Sequence, residues 1–125
     1  MPHTLKLPIA LALALAAAIT APAPRALAAA HDGLWSVLII TEKGDCDRGY
    51  RYSVSVKDGQ VRYQGDASVD LSGTVAANGA VAVNIRFGGK GANGTGRLAR
   101  SSGEGVWQGN GSDTTCSGRW EAERK

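Results

Sequence analysis

The chain has 125 residues, with 17 glycines, 3 tryptophans, 2 cysteines and a formal net charge of +3 at pH 7. Positive and negative side chains are interspersed along the sequence, whereas nucleic-acid binding requires a strong, clustered positive face. Composition and charge therefore argue against a nucleic-acid partner.

The first 30 residues have the organisation of a secretory signal peptide. Lys6 precedes an uncharged stretch rich in Leu and Ala, and small-x-small cleavage sites follow at 26–28 and 28–30. A transmembrane anchor is the alternative, but three prolines shorten the apolar span and a bilayer needs roughly 20 apolar residues. We expect residues 1–30 to be removed, which leaves no stable membrane anchor.

The remaining residues, 31–125, are expected to form a single domain in the periplasm or outside the cell. Removal of Lys6 and Arg25 lowers the formal charge from +3 to +1. All four prolines lie in the leader and all 17 glycines follow it. A glycine-rich body without proline is typical of short strands joined by tight turns.

The first three predicted strands carry a tyrosine-rich inward face. Residues 34–41 are apolar at nearly every position and predict the first strand. The next strand alternates with Tyr50 and Tyr52 inward, Asp58-Gly59 predicts a hairpin turn, and Tyr63 continues the same face on the return strand.

Five further strands are predicted at roughly ten-residue spacing. They cover residues 69–75, 81–87 with Phe87 inward, 92–99, a run around Trp107, and 116–124. No segment has helical periodicity, so the pattern indicates an all-β barrel or a β-sandwich.

The two cysteines favour a closed eight-stranded antiparallel up-and-down barrel, with a β-sandwich as the alternative. Free thiols are uncommon in exported proteins, so Cys46 and Cys116 are expected to form a disulfide. Cys46 follows the first strand and Cys116 opens the last one, so the bond is natural when these strands are neighbours. All three tryptophans are then expected near the opposite end.

Gly33-Leu34-Trp35 resembles the G-x-W motif of the calycin barrels, which include lipocalins, avidins, fatty-acid-binding proteins and small bacterial metalloprotease inhibitors. Lipocalins place a basic residue over that tryptophan. The resemblance implies a plug at one barrel end made by Trp35, Trp120 and Arg124, with Arg124 as a cation–π partner of Trp35. The segment 31–125 also resembles short, uncharacterised secreted bacterial proteins that have no established activity.

Tyr50, Tyr52, Tyr63 and Trp107 are the candidate residues of a ligand pocket. Buried tyrosine hydroxyls need partners, so the three tyrosines are either satisfied core groups or polar anchors in a pocket. Inward glycines at 94, 96, 105 and 109 allow two outcomes, a wall closed tightly around Trp107 or a small cavity. The sequence leaves both open.

No catalytic, metal or cofactor site is predicted. The match to G-x-G-x-x-G at 89–94 lacks the helix that a dinucleotide needs, and the acidic residues at 42–47 lack EF-hand spacing. His31 is expected at a frayed N-terminus. We therefore expect a non-enzymatic binding module for a small ligand or an envelope or extracellular protein. The alternative is an inhibitor or surface-interaction protein with a filled core that acts through its loops or residues 31–33.

Overall fold

The structure is a computed structural model that describes residues 29–65, 68–110 and 115–125. A short 3-10 turn, Ala29–His31, is followed by eight strands. The strands are β1 Gly33–Lys43, β2 Gly49–Lys57, β3 Gln60–Tyr63, β4 Asp70–Val75, β5 Ala80–Phe87, β6 Lys90–Leu98, β7 Ser102–Asn110 and β8 Thr115–Arg124.

The eight strands form one closed antiparallel barrel, which confirms the predicted architecture and excludes the sandwich. Each strand pairs with the next along the chain, and β8 returns to pair with β1. The Cys46–Cys116 disulfide joins the β1–β2 turn to the start of β8, with the two Cα atoms 6.1 Å apart. We call this end of the barrel the disulfide end and the opposite one the Trp35 end.

Local sequence sets the hairpins and the alternation along the strands. Asp58 and Gly59 have φ angles of 51° and 75°, which the primed turn of a two-residue hairpin requires. Gly79 in the β4–β5 turn has a φ of 91°, a conformation that favours glycine. The signal-peptide prediction for residues 1–30 lies almost wholly outside the described residues.

The core occupies the Trp35 end and the middle of the barrel. It consists of the buried residues Trp35, Val54, Val56, Val61, Val75, Val81, Leu98, Trp120 and Ala122. Val37, Ile39, Leu71, Val83 and Trp107 are partly buried and extend this cluster toward the disulfide end.

Two expectations about aromatic residues were wrong. Trp107 is sixth in a nine-residue strand and lies opposite Gly118, near the disulfide, because β7 already begins at Ser102. The three tryptophans therefore do not gather at one end. Phe87 is 51% exposed because it is the last residue of β5, where the wall of the barrel ends.

The expectation of a frayed His31 was also wrong. His31 is 8% exposed, because the 3-10 turn folds across the Trp35 end. The indole of Trp35 donates a hydrogen bond to the His31 carbonyl, 2.9 Å away. Asp32 follows and accepts a hydrogen bond from the Asp58 backbone N–H at 2.9 Å. Residues 31–33 are thus held against the barrel rather than free.

Candidate functional site

The Trp35 end is sealed by one guanidinium group. Arg124 lies over the Trp35 ring, 4.7 Å from its centroid, which is a cation–π geometry. The same group donates to the carbonyl of Arg100 at 2.9 Å, to that of Ala30 at 3.0 Å, and to that of Asp32. It therefore ties the 3-10 turn and the β6–β7 turn to the last strand.

The middle of the barrel is filled by Trp120, which lies across inward glycines. Its indole donates to the Thr95 carbonyl at 3.1 Å, although β7 separates β8 from β6. A Cβ atom at Gly96 or Gly105 would lie 2.5 Å from Trp120 ring atoms. The glycines therefore leave space that an indole occupies, and of the two predicted outcomes the structure shows the closed wall here.

Trp107 fills the part of the barrel interior nearer the disulfide end in the same way. Its indole donates to the Ile40 carbonyl at 3.0 Å, across the width of β8. Its ring lies 3.4 Å from the position that a Cβ of Gly109 would take. With its N–H satisfied and its ring packed, the partly buried Trp107 extends the core toward the disulfide end.

The three tyrosines form one cluster on the inner face toward the disulfide end. The ring centroids of Tyr50 and Tyr52 are 5.9 Å apart, and those of Tyr52 and Tyr63 are 6.0 Å apart. Tyr50 is 41% exposed, whereas Tyr52 and Tyr63 are half-buried. The tyrosines therefore cover the apolar core at the barrel mouth. Trp107 comes from the opposite side of the barrel and does not belong to this cluster.

Two of the tyrosine hydroxyls have raised pKa values. The hydroxyl of Tyr50 donates to Asp47, and this hydrogen bond, with burial, raises the pKa of Tyr50 to about 12. Burial, followed by the nearby Tyr63, raises the pKa of Tyr52 above its ordinary value. Both groups are therefore neutral donors at ordinary pH rather than general bases.

A trough of about 1020 Å³ lies on the outer surface near the disulfide end. Its lining combines two rows of outward-pointing residues with the inward row between them, which consists of Ile85, Ala92, Gly109 and Cys116. The first row is Ser72, Asn84, Asn93, Gln108 and Ser117, and the second is Arg86, Gly91, Asn110 and Thr115. Lys43 and the β5–β6 turn, with Lys90, complete it.

The trough is polar and cationic. Lys43, Arg86 and Lys90 are its charged lining residues, and the described lining includes no carboxylate. Asn84, Asn93 and Gln108 are exposed, and the side-chain hydrogen bonds found within the described residues do not involve them. Their amide groups are therefore free to donate to and accept from a ligand.

A smaller concavity of about 500 Å³ adjoins the trough and shares Arg86 and Gly88 with it. Asp70, the register partner of Arg86, belongs to this second concavity. The carboxylate of Asp70 thus marks the edge where the cationic stretch ends.

The sequence did not predict the trough, although residues 89–94 were considered as a dinucleotide loop. The residues of its two outward rows alternate along their own strands, which is the ordinary pattern of a solvated face. Their alignment depends on the register between strands, and no local motif signals that register. The tyrosine cluster, by contrast, was visible as a shared face on β2 and β3.

Other site types find no support in the part of the chain that the structure describes. It contains no group of three or more His, Cys, Asp or Glu side chains that could hold a metal ion. It also contains no helix long and apolar enough to cross a membrane. The disulfide is compatible with an oxidising compartment outside the cytoplasm.

In comparisons with known proteins, no family model, curated protein or solved structure matches this chain. The function must therefore be argued from the geometry of the barrel and the trough.

Proposed function

We propose that the protein is an exported, non-enzymatic binding module that recognises its partner on the outer trough between β4 and β8. The barrel acts as the rigid scaffold of this surface. One observation carries the proposal: a trough of about 1020 Å³, lined by free amides, hydroxyls and cations, lies outside a barrel whose interior is packed with indoles.

The packing of the barrel supports a scaffold role. Trp107, Trp120 and Trp35 each donate their indole N–H to a backbone carbonyl, so the interior has fixed side chains at three levels. A site on strands is held more precisely than a site on loops. The disulfide holds the turn after β1 beside the start of β8, and Lys43 and Ser117 line the trough next to it.

The proposal also includes a location in the periplasm or outside the cell and a calycin-like class of barrel. A leader that is removed, one disulfide and a small barrel suit a protein of the periplasm or the extracellular space. The calycin-like G-x-W motif agrees with the placement of Arg124 over Trp35. A catalytic role is not proposed, because the described histidine, His31, is enclosed at the Trp35 end, far from the trough.

A second candidate is binding of a small apolar ligand at the tyrosine mouth. The contact of Tyr50, Tyr52 and Tyr63 at the open end favours it. In this case the phenol groups, rather than the amides of the trough, would contact the ligand.

Chemical-shift mapping on the isotope-labelled protein, residues 29–125, separates the two candidates. The protein is titrated with soluble charged and neutral glycans, a mixture of short peptides, and fatty acids. The proposal predicts shifts of the side-chain amides of Asn84, Asn93 and Gln108. Shifts confined to Tyr50, Tyr52 and Tyr63 would instead place recognition at the mouth, and no saturable shift with any of these probes would contradict both candidates.

A further inference from the structure

The outward row of the trough is a regular line of hydrogen-bonding side chains. Ser72 pairs with Asn84, Asn84 with Asn93, Asn93 with Gln108, and Gln108 with Ser117, so five neighbouring strands each contribute one polar group. Neighbouring strands lie about 4.8 Å apart, so the line extends over roughly 19 Å. This length suits an extended polymer better than a single small molecule.

The chemistry of the row selects a polymer that carries many hydroxyl groups. A primary amide offers two donors and one acceptor oxygen, and a hydroxyl can both donate and accept. Each position of the row can therefore donate a hydrogen bond to a sugar hydroxyl or accept one from it. The spacing between strands is comparable to the length of one sugar unit in an extended glycan. The described lining has no aromatic side chain, whereas proteins that bind single-stranded nucleic acids stack the bases on aromatic rings.

The charges of the trough select an anionic polymer. Lys43 lies beside Ser117 at one end of the row, and Arg86 and Lys90 lie along the opposite edge near Asn84. The ion pairs of the described residues are made by Arg119, so these three cations are not neutralised by such a pair there. Positive side chains around neutral amides attract a chain with periodic negative groups.

We propose that the trough binds an extended anionic polysaccharide, with carboxylate or sulfate groups near Lys43, Arg86 and Lys90 and sugar hydroxyls on the amide row. This inference rests on the proposed function and specifies its ligand class. Affinity arises from several weak contacts along the chain, so short fragments bind more weakly than the polymer.

Calorimetric titration of residues 29–125, which keep the turn that Arg124 holds, with defined polymers tests the inference. The probes are polygalacturonate, dextran sulfate, neutral dextran, inorganic polyphosphate and single-stranded DNA. We expect saturable binding of polygalacturonate and dextran sulfate that weakens with salt, and no binding of neutral dextran.

Three variants locate the contact. The charge variant carries Lys43→Gln, Arg86→Gln and Lys90→Gln, and the amide variant carries Asn84→Ala, Asn93→Ala and Gln108→Ala. The matched control carries Lys57→Gln, Arg62→Gln and Arg97→Gln, which remove the same charge from exposed positions outside the trough. We expect both trough variants to weaken polygalacturonate binding at least tenfold and the control to change it less than twofold.

The possible results distinguish a wrong ligand class from a wrong binding site. No binding of either anionic polysaccharide overturns the inference, while the shift mapping still decides the proposed function. Equal binding of polyphosphate or DNA, unaffected by the amide variant, means a general polyanion surface and overturns the polysaccharide assignment alone. Equal loss in the control variant means diffuse charge attraction and contradicts the trough itself. Circular dichroism spectra of all variants confirm that the exposed substitutions leave the barrel folded.

Discussion

The indole of Trp107 on β7 donates a hydrogen bond to the backbone carbonyl of Ile40 on β1, 3.0 Å away, across the intervening strand β8. The residue of β8 between them is Gly118, which pairs with Trp107 on one side and Thr41 on the other. A register shift follows Thr41 in β1, so the pairing is irregular at this point. The contact joins three strands at the place where the barrel closes.

Gly118→Ala is expected to destabilise the protein strongly. A Cβ atom at this position would lie 1.9 Å from the Ile40 carbonyl oxygen and 2.9 Å from the Glu42 backbone nitrogen. Both atoms belong to the backbone of β1, which cannot move away without opening the seam between β1 and β8. We expect a loss of about 3 kcal/mol in the free energy of unfolding, measured by urea denaturation.

Gly89→Ala is the matched control for this substitution. No heavy atom lies within 4 Å of its Cβ position, so the free energy of unfolding is expected to change by no more than about 0.5 kcal/mol. Equal stability of the Gly118→Ala protein and the wild type would show that the close approach at the seam is wrong.

Arg124→Lys is expected to lower stability by about 2 kcal/mol, because an ammonium group cannot reach three carbonyls and stack on an indole at once. The control is Arg119→Lys. Arg119 is half-exposed and pairs with Glu121 at 2.6 Å, and such surface pairs contribute about 0–1 kcal/mol. Thermal melting of both variants measures the difference. An Arg124→Lys protein as stable as the control would show that Arg124 does not hold the Trp35 end.

Reduction of the Cys46–Cys116 disulfide is expected to cost ~4 kcal/mol, because the bond closes a long loop, with a sequence separation of 70. Urea denaturation with and without a reducing agent measures the change. In a Cys46→Ser/Cys116→Ser control, the reducing agent should have no effect. An unchanged unfolding midpoint on reduction of the wild type would contradict this contribution to stability.

Stability is expected to decrease at alkaline pH because of the tyrosine cluster. The pKa of Tyr50 is raised from 10.0 to about 12 in the folded protein, first by its hydrogen bond to Asp47 and then by burial. A raised pKa means that the stabilising contribution is complete below pH 10.0 and is lost as the pH rises toward about 12. The burial that raises the pKa of Tyr52 acts in the same direction.

The unfolding midpoint, followed from neutral pH to pH 12, measures this effect. In Tyr50→Phe the decline above pH 10.0 should be shallower, because one of the hydroxyls with a raised pKa is gone. An identical decline in the variant and the wild type would exclude Tyr50 as its source.

The strand pattern and the barrel could be predicted because they depend on local signals. Alternation along each strand, the Asp58-Gly59 and Asn78-Gly79 turns, and the placement of Cys46 and Cys116 all appear in the linear sequence. These local signals were enough to predict eight strands and the closure of the barrel. They also placed Tyr50, Tyr52 and Tyr63 on one face.

The remaining features depend on register or on distant contacts. The position of Trp107 along the barrel axis depends on where β7 begins. The predicted start of β7 was a few residues too late, which placed Trp107 at the Trp35 end. The burial of His31 requires Arg124, 93 residues later in the sequence, to hold the preceding turn. The line formed by Asn84, Asn93 and Gln108 exists only once three strands are in register.

Recognition on the outside of the barrel requires that the interior be filled by side chains. The direct test is titration of residues 29–125 with an uncharged apolar fluorescent probe such as N-phenyl-1-naphthylamine, with energy transfer from Trp107 and Trp120 as the signal. A filled barrel predicts no saturable transfer at stoichiometric probe. One-to-one saturable transfer would show an apolar cavity between the indoles and would contradict a filled interior.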